Sequence, residues 1–356
     1  MKRFYPALPL LLLPILFPLT AIVTSQTRER TVGPSRVEPK TAAEIIKTDV
    51  DLVNVDALVL QKNTARVVGN LVREDFIISE DGVKQSISHF TQDRLPLSVL
   101  LLIDRGGCLD PFGEEVRHAA MSALAQLKPV DEVAVMTYHD TVELIQEFTN
   151  DRRRLKSAID YVPPHDERAN HCLDTAFYAA ADFMNKAANP VGRRVVIVIT
   201  GVTRNFACPG GPSPNAAMQS IFESGSVVCG IVPQSPAQEM ENGMARWATR
   251  LGRISGAHTI DIQKLADETG GELLKDKPAN LDRTFTTLIE HLRTRYNIAF
   301  VSSNKNRDGT VRKLKVELAD ATRKTQGKLV VKARKSYVAP KGEERAATTT
   351  VMQEHP

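Results

Sequence analysis

Asp104 is the residue best placed to do chemistry, because its carboxylate follows an almost unbroken apolar run. Residues 97–103 are too few for a lone helix and too continuously apolar for a half-exposed strand, so they predict a strand buried on both faces of a parallel sheet. Asp110 and Pro111 then supply a helix N-cap and a first helical residue. Ligands of open α/β sheets bind where such strands end. A carboxylate there can hold a cation, or it can cap the following loop through backbone N–H groups, which is the interpretation we favour.

Three of the four cysteines fall near the same predicted edge of the sheet. Cys108, Cys172 and Cys208 lie in loops or helix starts that follow strands, whereas Cys229 lies in the middle of a predicted strand. Neighbouring thiols pair in an oxidising compartment or, together with His171, bind a soft metal such as zinc. We interpret Cys229 as a small side chain of the core.

The amino-terminal segment predicts export. Lys2 and Arg3 precede an apolar run over residues 7–23, and the compact side chains of Val23 and Ser25 suit a signal-peptide cleavage site after Ser25. Several prolines within the run disfavour the alternative of an uncleaved membrane anchor. We therefore expect a periplasmic or extracellular protein with no membrane span after signal cleavage, and in those compartments cysteines are more often paired than free.

Strands and helices alternate through the centre of the chain. Apolar runs at residues 194–200 and 226–232 predict two further strands buried on both faces, and amphipathic segments separate them. This alternation predicts an α/β fold with a doubly wound, mostly parallel, Rossmann-like sheet and helices on both faces. A helical stripe of Met240, Met244, Trp247 and Leu251 is interpreted as packing on that sheet, with a groove for a partner as the alternative.

Flanking segments with alternating apolar residues predict a small β subdomain built from amino- and carboxyl-terminal strands. The turn signal Asp81-Gly82 lies in the first of these segments. The predicted organisation is a signal peptide (1–25), a linker (26–47), an amino-terminal β unit (48–94), the α/β domain (95–294), carboxyl-terminal strands (295–338) and a disordered tail (339–356).

Charge and motifs disfavour several functional classes. The net charge is +4 and both signs are mixed along the chain, so no basic groove with interleaved aromatic residues marks a nucleic-acid partner. Gly106 and Gly107 begin no phosphate-binding motif. No serine in a nucleophile-elbow context accompanies a histidine and an acid. We therefore expect a protein that is not an enzyme and that needs no cofactor.

Several ordered segments resemble the von Willebrand factor type A (VWFA)-related domain proteins of bacteria, in particular the acidobacterial type. The resemblance covers roughly residues 48–338. The segments that carry it are 72–76 (VREDF), 79–82 (SEDG), 89–90 (HF), 99–104 (VLLLID), 131–135 (DEVAV), 148–149 (FT), 194–199 (RVVIVI) and 295–298 (RYNI).

The resemblance implies a metal site that has lost most of its ligands. In the wider family a divalent ion is held by an Asp-x-Ser-x-Ser motif after the first strand, a Thr from a second loop and an Asp after a later buried strand. The matching positions here are Asp104, Gly106, Cys108, His171 beside Asn170, and Thr200-Gly201. Mg²⁺ prefers near-octahedral oxygen ligation, so one remaining carboxylate indicates a degenerate metal-ion-dependent adhesion site. The alternative is that Asp104 retains Mg²⁺ with the help of substitute ligands.

The cysteine-bearing loops lie where family members would hold the ion. We expect a disulfide there, with Cys172–Cys208 as the first choice and Cys108–Cys208 as the second, because sequence alone does not fix connectivity. A zinc site made of these cysteines and His171 is the rival interpretation.

The function implied by the resemblance is an exported, non-enzymatic module that binds another protein. The expected binding residues are Asp104, Gly106, Cys108, Asn170, His171, Gly201 and Thr203. We expect binding without metal. Metal-dependent adhesion through Mg²⁺ is the first alternative, and an enzyme with an unrecognised site is the second. The sequence leaves the partner's identity and the oligomeric state open.

Overall fold

The computed structural model of the chain describes residues 52–92, 95–106, 113–163, 169–189, 192–201, 203–234, 240, 243–244, 247–248, 250–252 and 259–341. The predicted signal peptide and linker lie outside the described residues, as does the predicted tail from residue 342 onward.

The described residues contain the following strands, in chain order: β1 (Leu52–Gln61), β2 (Phe76–Glu80), β3 (Val83–Gln85), β4 (Ile87–Thr91), β5 (Leu97–Asp104), β6 (Glu132–Tyr138), β7 (Val142–Thr149), β8 (Arg193–Ile199), β9 (Arg204–Phe206), β10 (Val227–Pro233), β11 (Thr259–Asp261), β12 (Leu273–Asp276), β13 (Tyr296–Val301), β14 (Val311–Leu318), β15 (Leu329–Ala333) and β16 (Ser336–Val338). Seven helices with full bounds accompany them: α1 (Gly113–Ala125), α2 (Arg152–Asp160), α3 (Leu173–Met184), α4 (Pro214–Glu223), α5 (Ile262–Thr269), α6 (Leu281–Arg293) and α7 (Asp320–Gln326).

The central sheet has six strands in the order β12-β10-β8-β5-β6-β7. All neighbours are parallel except β7, which runs antiparallel to β6. Every residue of β5 is buried. Val99 and Leu101 pack under α1, α2 and α6, whereas Leu100 and Leu102 pack under α3, α4 and α5. Because both faces are covered, the strand is apolar without alternation, and the predicted doubly wound α/β sheet is confirmed.

Eight of the remaining strands form two antiparallel sheets that enclose a second core, whereas β9 and β11 pair in a separate two-stranded sheet. Their orders are β15-β1-β13-β4 and β16-β14-β2-β3, so strands from both ends of the described chain are interleaved. Phe76, Phe90 and Tyr296 pack between them with ring centroids 5.0–5.7 Å apart. Asp81 and Gly82 form the β2–β3 turn with positive φ angles, as the turn signal predicts. The predicted β subdomain of amino- and carboxyl-terminal strands is therefore confirmed.

The packing predicted for the apolar helical stripe that contains Met240, Met244 and Trp247 is wrong. The described residues between 240 and 252 are helical, but Met240, Met244 and Trp247 are 68%, 61% and 67% exposed. Periodicity defines the apolar face of a helix without fixing which surface covers it, and here the described part of the protein leaves that face open. No helix among the described residues has the length and apolar character needed to cross a bilayer.

Candidate functional site

The carboxyl edge of the central sheet brings three strand ends together. Asp104 ends β5 and lies in register with Tyr138, the last residue of the neighbouring parallel strand β6. On the other side β5 pairs with β8 through Ile199, so Thr200 follows at the same level. The parallel register therefore places a carboxylate between a phenol and a hydroxyl group, and all three residues are buried.

The carboxylate of Asp104 accepts hydrogen bonds from several directions. The His171 Nδ1 atom lies 2.9 Å from both Asp104 oxygens, so Nδ1–H donates to the carboxylate. Tyr138 Oη donates to Oδ2 at 3.2 Å, and Thr200 Oγ1 donates to the same oxygen. The Gly106 backbone N–H donates to Oδ1 at 2.9 Å. This last bond is the loop cap predicted from the sequence, and it is one part of a larger buried network.

The imidazole of His171 reaches Asp104 only because residue 106 is glycine. A Cβ atom on Gly106 would lie 2.2 Å from His171 Cε1 and 2.3 Å from Nδ1, closer than any real contact of this kind. A serine at position 106, which the family motif has, would require the ring to move. The residues at positions 106 and 171 therefore depend on each other, because the glycine leaves the space that the histidine ring occupies.

The loop before α3 is fixed to the neighbouring strand ends. Asp140 accepts hydrogen bonds from the Asn170 side chain at 2.6 Å and from its backbone N–H at 3.2 Å. These bonds hold the pKa of the Asp140 carboxyl below its ordinary value. The Asn205 amide donates to the His171 carbonyl at 2.8 Å. The exposed side chains of Asp140 and Asn170 thus form a fixed polar rim beside the partly buried His171.

Cys172 and Cys208 form a disulfide with a Cα–Cα distance of 5.5 Å. The first-choice pairing is therefore confirmed, and the second choice, Cys108–Cys208, is wrong because Cys208 is already bonded. Cys108 itself lies outside the described residues. Asp174 supports the bridge, because its Oδ2 accepts the Cys208 backbone N–H at 3.0 Å. Cys229 is a free buried thiol whose pKa is raised by burial to about 11, as expected for a core side chain.

Residues 99–203 match the family model of the von Willebrand factor type A domain. This part of the chain is similar to von Willebrand factor type A domains. The match runs from β5 to the residues just after β8 and so contains Asp104, His171 and Thr200. No curated protein matches the chain.

Several solved structures are similar to this chain at low sequence identity. An aerotolerance-related membrane protein from Bacteroides fragilis is 13% identical, covers 55% of this chain and 98% of its own, and has a TM-score of 0.40. A von Willebrand factor type A protein from Catenulispora acidiphila is 11% identical over 84% of this chain and 76% of its own, with a TM-score of 0.41. Proximal thread matrix protein 1 from the mussel byssus, with a zinc-occupied MIDAS motif, is 11% identical over 56% and 48%, with a TM-score of 0.41.

The residues present do not fit the divalent cation that the resemblance to von Willebrand factor type A domains implies. A hard cation needs several oxygen ligands, but Thr200 stands where the second carboxylate would be, and both Asp104 oxygens already accept hydrogen bonds. Among the described residues there is no group of three or more His, Cys, Asp or Glu side chains that could hold a metal. The zinc interpretation is wrong for Cys172 and Cys208, since disulfide sulfurs are not thiolate ligands.

The other predicted binding residues differ in accessibility. Gly201 is buried, and Thr203 is 8% exposed with its carbonyl accepting the Ile262 backbone N–H at 3.0 Å. These two residues therefore stabilise the loop after β8 and present little accessible surface to a partner. Sequence reasoning missed Tyr138 as a partner of Asp104. Its position as the last residue of the neighbouring strand was the available signal.

Replacing His171 with alanine is expected to lower the free energy of unfolding by about 1–3 kcal/mol, because the buried Asp104 carboxylate would lose a hydrogen-bond donor. Urea denaturation measures the change. His118 is the control: its side chain is 74% exposed and it pairs with Asp282 at the surface, so His118→Ala should cost less than about 0.5 kcal/mol. Equal losses in the two variants would contradict a special role for the His171–Asp104 contact.

Proposed function

We propose that this protein is an exported, non-enzymatic interaction module that binds a protein partner at the carboxyl edge of its central sheet without a metal ion. Domains of the von Willebrand factor type A family are in general protein-interaction modules. The surface proposed for binding is the rim formed by Asp140, Asn170 and His171 above Asp104.

The observation that carries the proposal is the imidazole of His171 against both oxygens of Asp104. In the metal-dependent alternative, a divalent ion held at Asp104 would contact the partner. Here the buried carboxylate instead orients a side chain of this chain, whose ring is 17% exposed. The edge therefore offers hydrogen-bonding groups at fixed positions, which is a basis for recognition that does not involve Lewis-acid chemistry.

Rigidity of the two loops supports a binding role at this edge. The Cys172–Cys208 disulfide joins the loop before α3 to the loop after β9, and Asp174 anchors the second loop through the Cys208 backbone N–H. Loops that are already ordered lose less conformational entropy when a partner binds. The same disulfide, together with the signal-peptide pattern of residues 1–25, supports the proposed export.

Thermal unfolding with and without millimolar Mg²⁺, Ca²⁺ or Zn²⁺ tests metal independence. A cation at about 100 times its dissociation constant would stabilise the native state by about 2.7 kcal/mol. We expect no change in Tm for the wild-type protein. A rise in Tm that disappears in Asp104→Asn would contradict the proposal and favour the Mg²⁺-dependent alternative.

The binding surface is tested by capturing proteins from culture supernatant on the immobilised, disulfide-bonded protein. We expect the same partner with and without chelator and its loss in Asp140→Lys, which reverses a charge on the rim. Glu147→Lys is the matched control, because Glu147 is exposed on β7 near the other end of the sheet. Capture that depends on a divalent cation, or that Glu147→Lys weakens equally, would refute the proposed surface.

A further inference from the structure

A cavity lies at the edge of the central sheet opposite the surface proposed for binding. It has a volume of about 600 Å³ and is bounded by the first residues of β8, the end of α4 and the β15–β16 connection. Its other wall is the outward face of β1, where Asn54 and Asp56 alternate with Val53 and Val55, which pack into the second core. Polar side chains on this face of β1 therefore look into the cavity and away from the sandwich core.

Among the described residues, three arginines line this cavity against one aspartate. Asp56 is already paired, since Arg193 donates to its two oxygens through Nε at 2.8 Å and Nη2 at 2.9 Å. Among the described residues, Arg194 donates to the Ser224 carbonyl at 3.1 Å and Arg334 to the Gly225 carbonyl at 3.0 Å. Within the part of the chain that the structure describes, neither forms an ion pair. The cavity wall thus carries guanidinium groups whose charge is not balanced locally.

A fourth arginine adds to the positive potential at this edge. Arg295 is fully buried and donates to the Gly270 carbonyl at 2.8 Å, while its Nε and Nη2 have no hydrogen-bond partner among the described residues. Burial raises the pKa of Asp56, but Arg193, Arg295 and Arg334 together outweigh burial and hold that pKa below its ordinary value. Asp56, the one carboxylate among the described residues that line this cavity, therefore has several guanidinium groups around it.

We propose that this cavity binds a small oxyanion, a carboxylate or a phosphate ester, with Arg194 and Arg334 as its main contacts. Guanidinium groups match both anions because their planar N–H donors bind two oxygens at once. The volume lies within the range of small-molecule sites. Asn297 also lines the cavity, and its amide oxygen is buried without a partner among the described residues. Amide oxygen and nitrogen exchange places by rotation, so this side chain offers a further N–H donor.

Isothermal titration of the full chain with inorganic phosphate, and separately with succinate, at constant ionic strength tests the site. We expect saturable binding of at least one probe, and the preferred probe distinguishes a phosphate from a carboxylate ligand. Arg194→Gln and Arg334→Gln should each weaken binding about tenfold through loss of a charged donor. Arg154→Gln is the control with the same change of charge, because Arg154 is 72% exposed on α2.

Asn54→Asp provides a second variant that does not remove a buried group. Asn54 is exposed on β1, so the substitution adds a carboxylate to the cavity wall at little cost to folding. It should weaken anion binding by about tenfold or more through charge repulsion. The ratio between the wild-type and variant affinities should become smaller at high salt, because salt screens that repulsion. Absence of saturable binding for both probes would overturn the proposal. So would equal weakening by Arg154→Gln and Arg334→Gln.

Discussion

Replacing Glu80 with alanine is expected to lower the free energy of unfolding by about 3–5 kcal/mol, because it leaves the buried Arg312 guanidinium without its carboxylate. The two side chains are 2% and 3% exposed and lie 3.1 Å apart. Glu80 also accepts the Ser302 hydroxyl at 2.6 Å and the Tyr337 phenol. Ser302 follows β13 in one sheet of the sandwich, whereas the other three residues belong to the facing sheet. The network therefore joins the two sheets.

Chemical denaturation followed by circular dichroism measures this loss. Lys315→Ala on the same strand as Arg312 is the control, since its side chain is 69% exposed and should contribute less than about 0.5 kcal/mol. The double variant Glu80→Leu/Arg312→Met should recover much of the stability, because no buried charge remains unpaired. A small effect of Glu80→Ala would show that the pair is solvated.

The contribution of the Glu80 carboxylate to the free energy of unfolding depends on pH. Burial raises the pKa of Glu80, but hydrogen bonds from Ser302, Tyr337 and Arg312 outweigh it, so the pKa lies below its ordinary value. A lowered pKa means that the stabilisation is present above the pKa of the unfolded state and is lost as the pH falls through the folded-state pKa. The difference in the free energy of unfolding between the wild-type protein and Glu80→Gln should therefore become smaller at acidic pH.

Removing the disulfide is the second large expected effect. The double variant Cys172→Ser/Cys208→Ser should lose about 3–4 kcal/mol of unfolding free energy, the value expected for a bridge that closes a loop of this size. The cysteines are 36 residues apart in sequence. Both the midpoint of urea denaturation and Tm should fall. An unchanged midpoint would mean that the loops are held by their other contacts, such as the bond between Asp174 and Cys208 N.

Alkylation provides the matching chemical measurement. The unfolded, unreduced protein should take up at most two alkyl groups and the reduced protein four, because the chain has four cysteines and two are bridged. In the native state Cys229 should react slowly, since it is buried and its raised pKa keeps it as a thiol. Four alkyl groups without reductant would refute the bridge.

The sequence by itself determined the α/β class and the position of Asp104. The run of residues 97–103 has no polar face, which is the pattern of a strand that is buried on both faces of a sheet. It also indicated which three cysteines lie at one edge of the sheet, because loops that follow parallel strands meet there, but the structure was needed to show that Cys172 pairs with Cys208. The loss of family ligands at positions 106, 171 and 200 was likewise visible in the residues alone.

Only the tertiary structure decided what replaces those ligands. Nothing in sequence spacing places His171 over Gly106, because that contact joins residues on separate loops whose geometry depends on the packing of α3 and β5. The cluster of Arg194, Arg334 and Asp56 likewise depends on how the second β unit meets the central sheet. Local patterns fix the type and inward face of each element, whereas contacts between distant segments follow from packing that no single segment encodes.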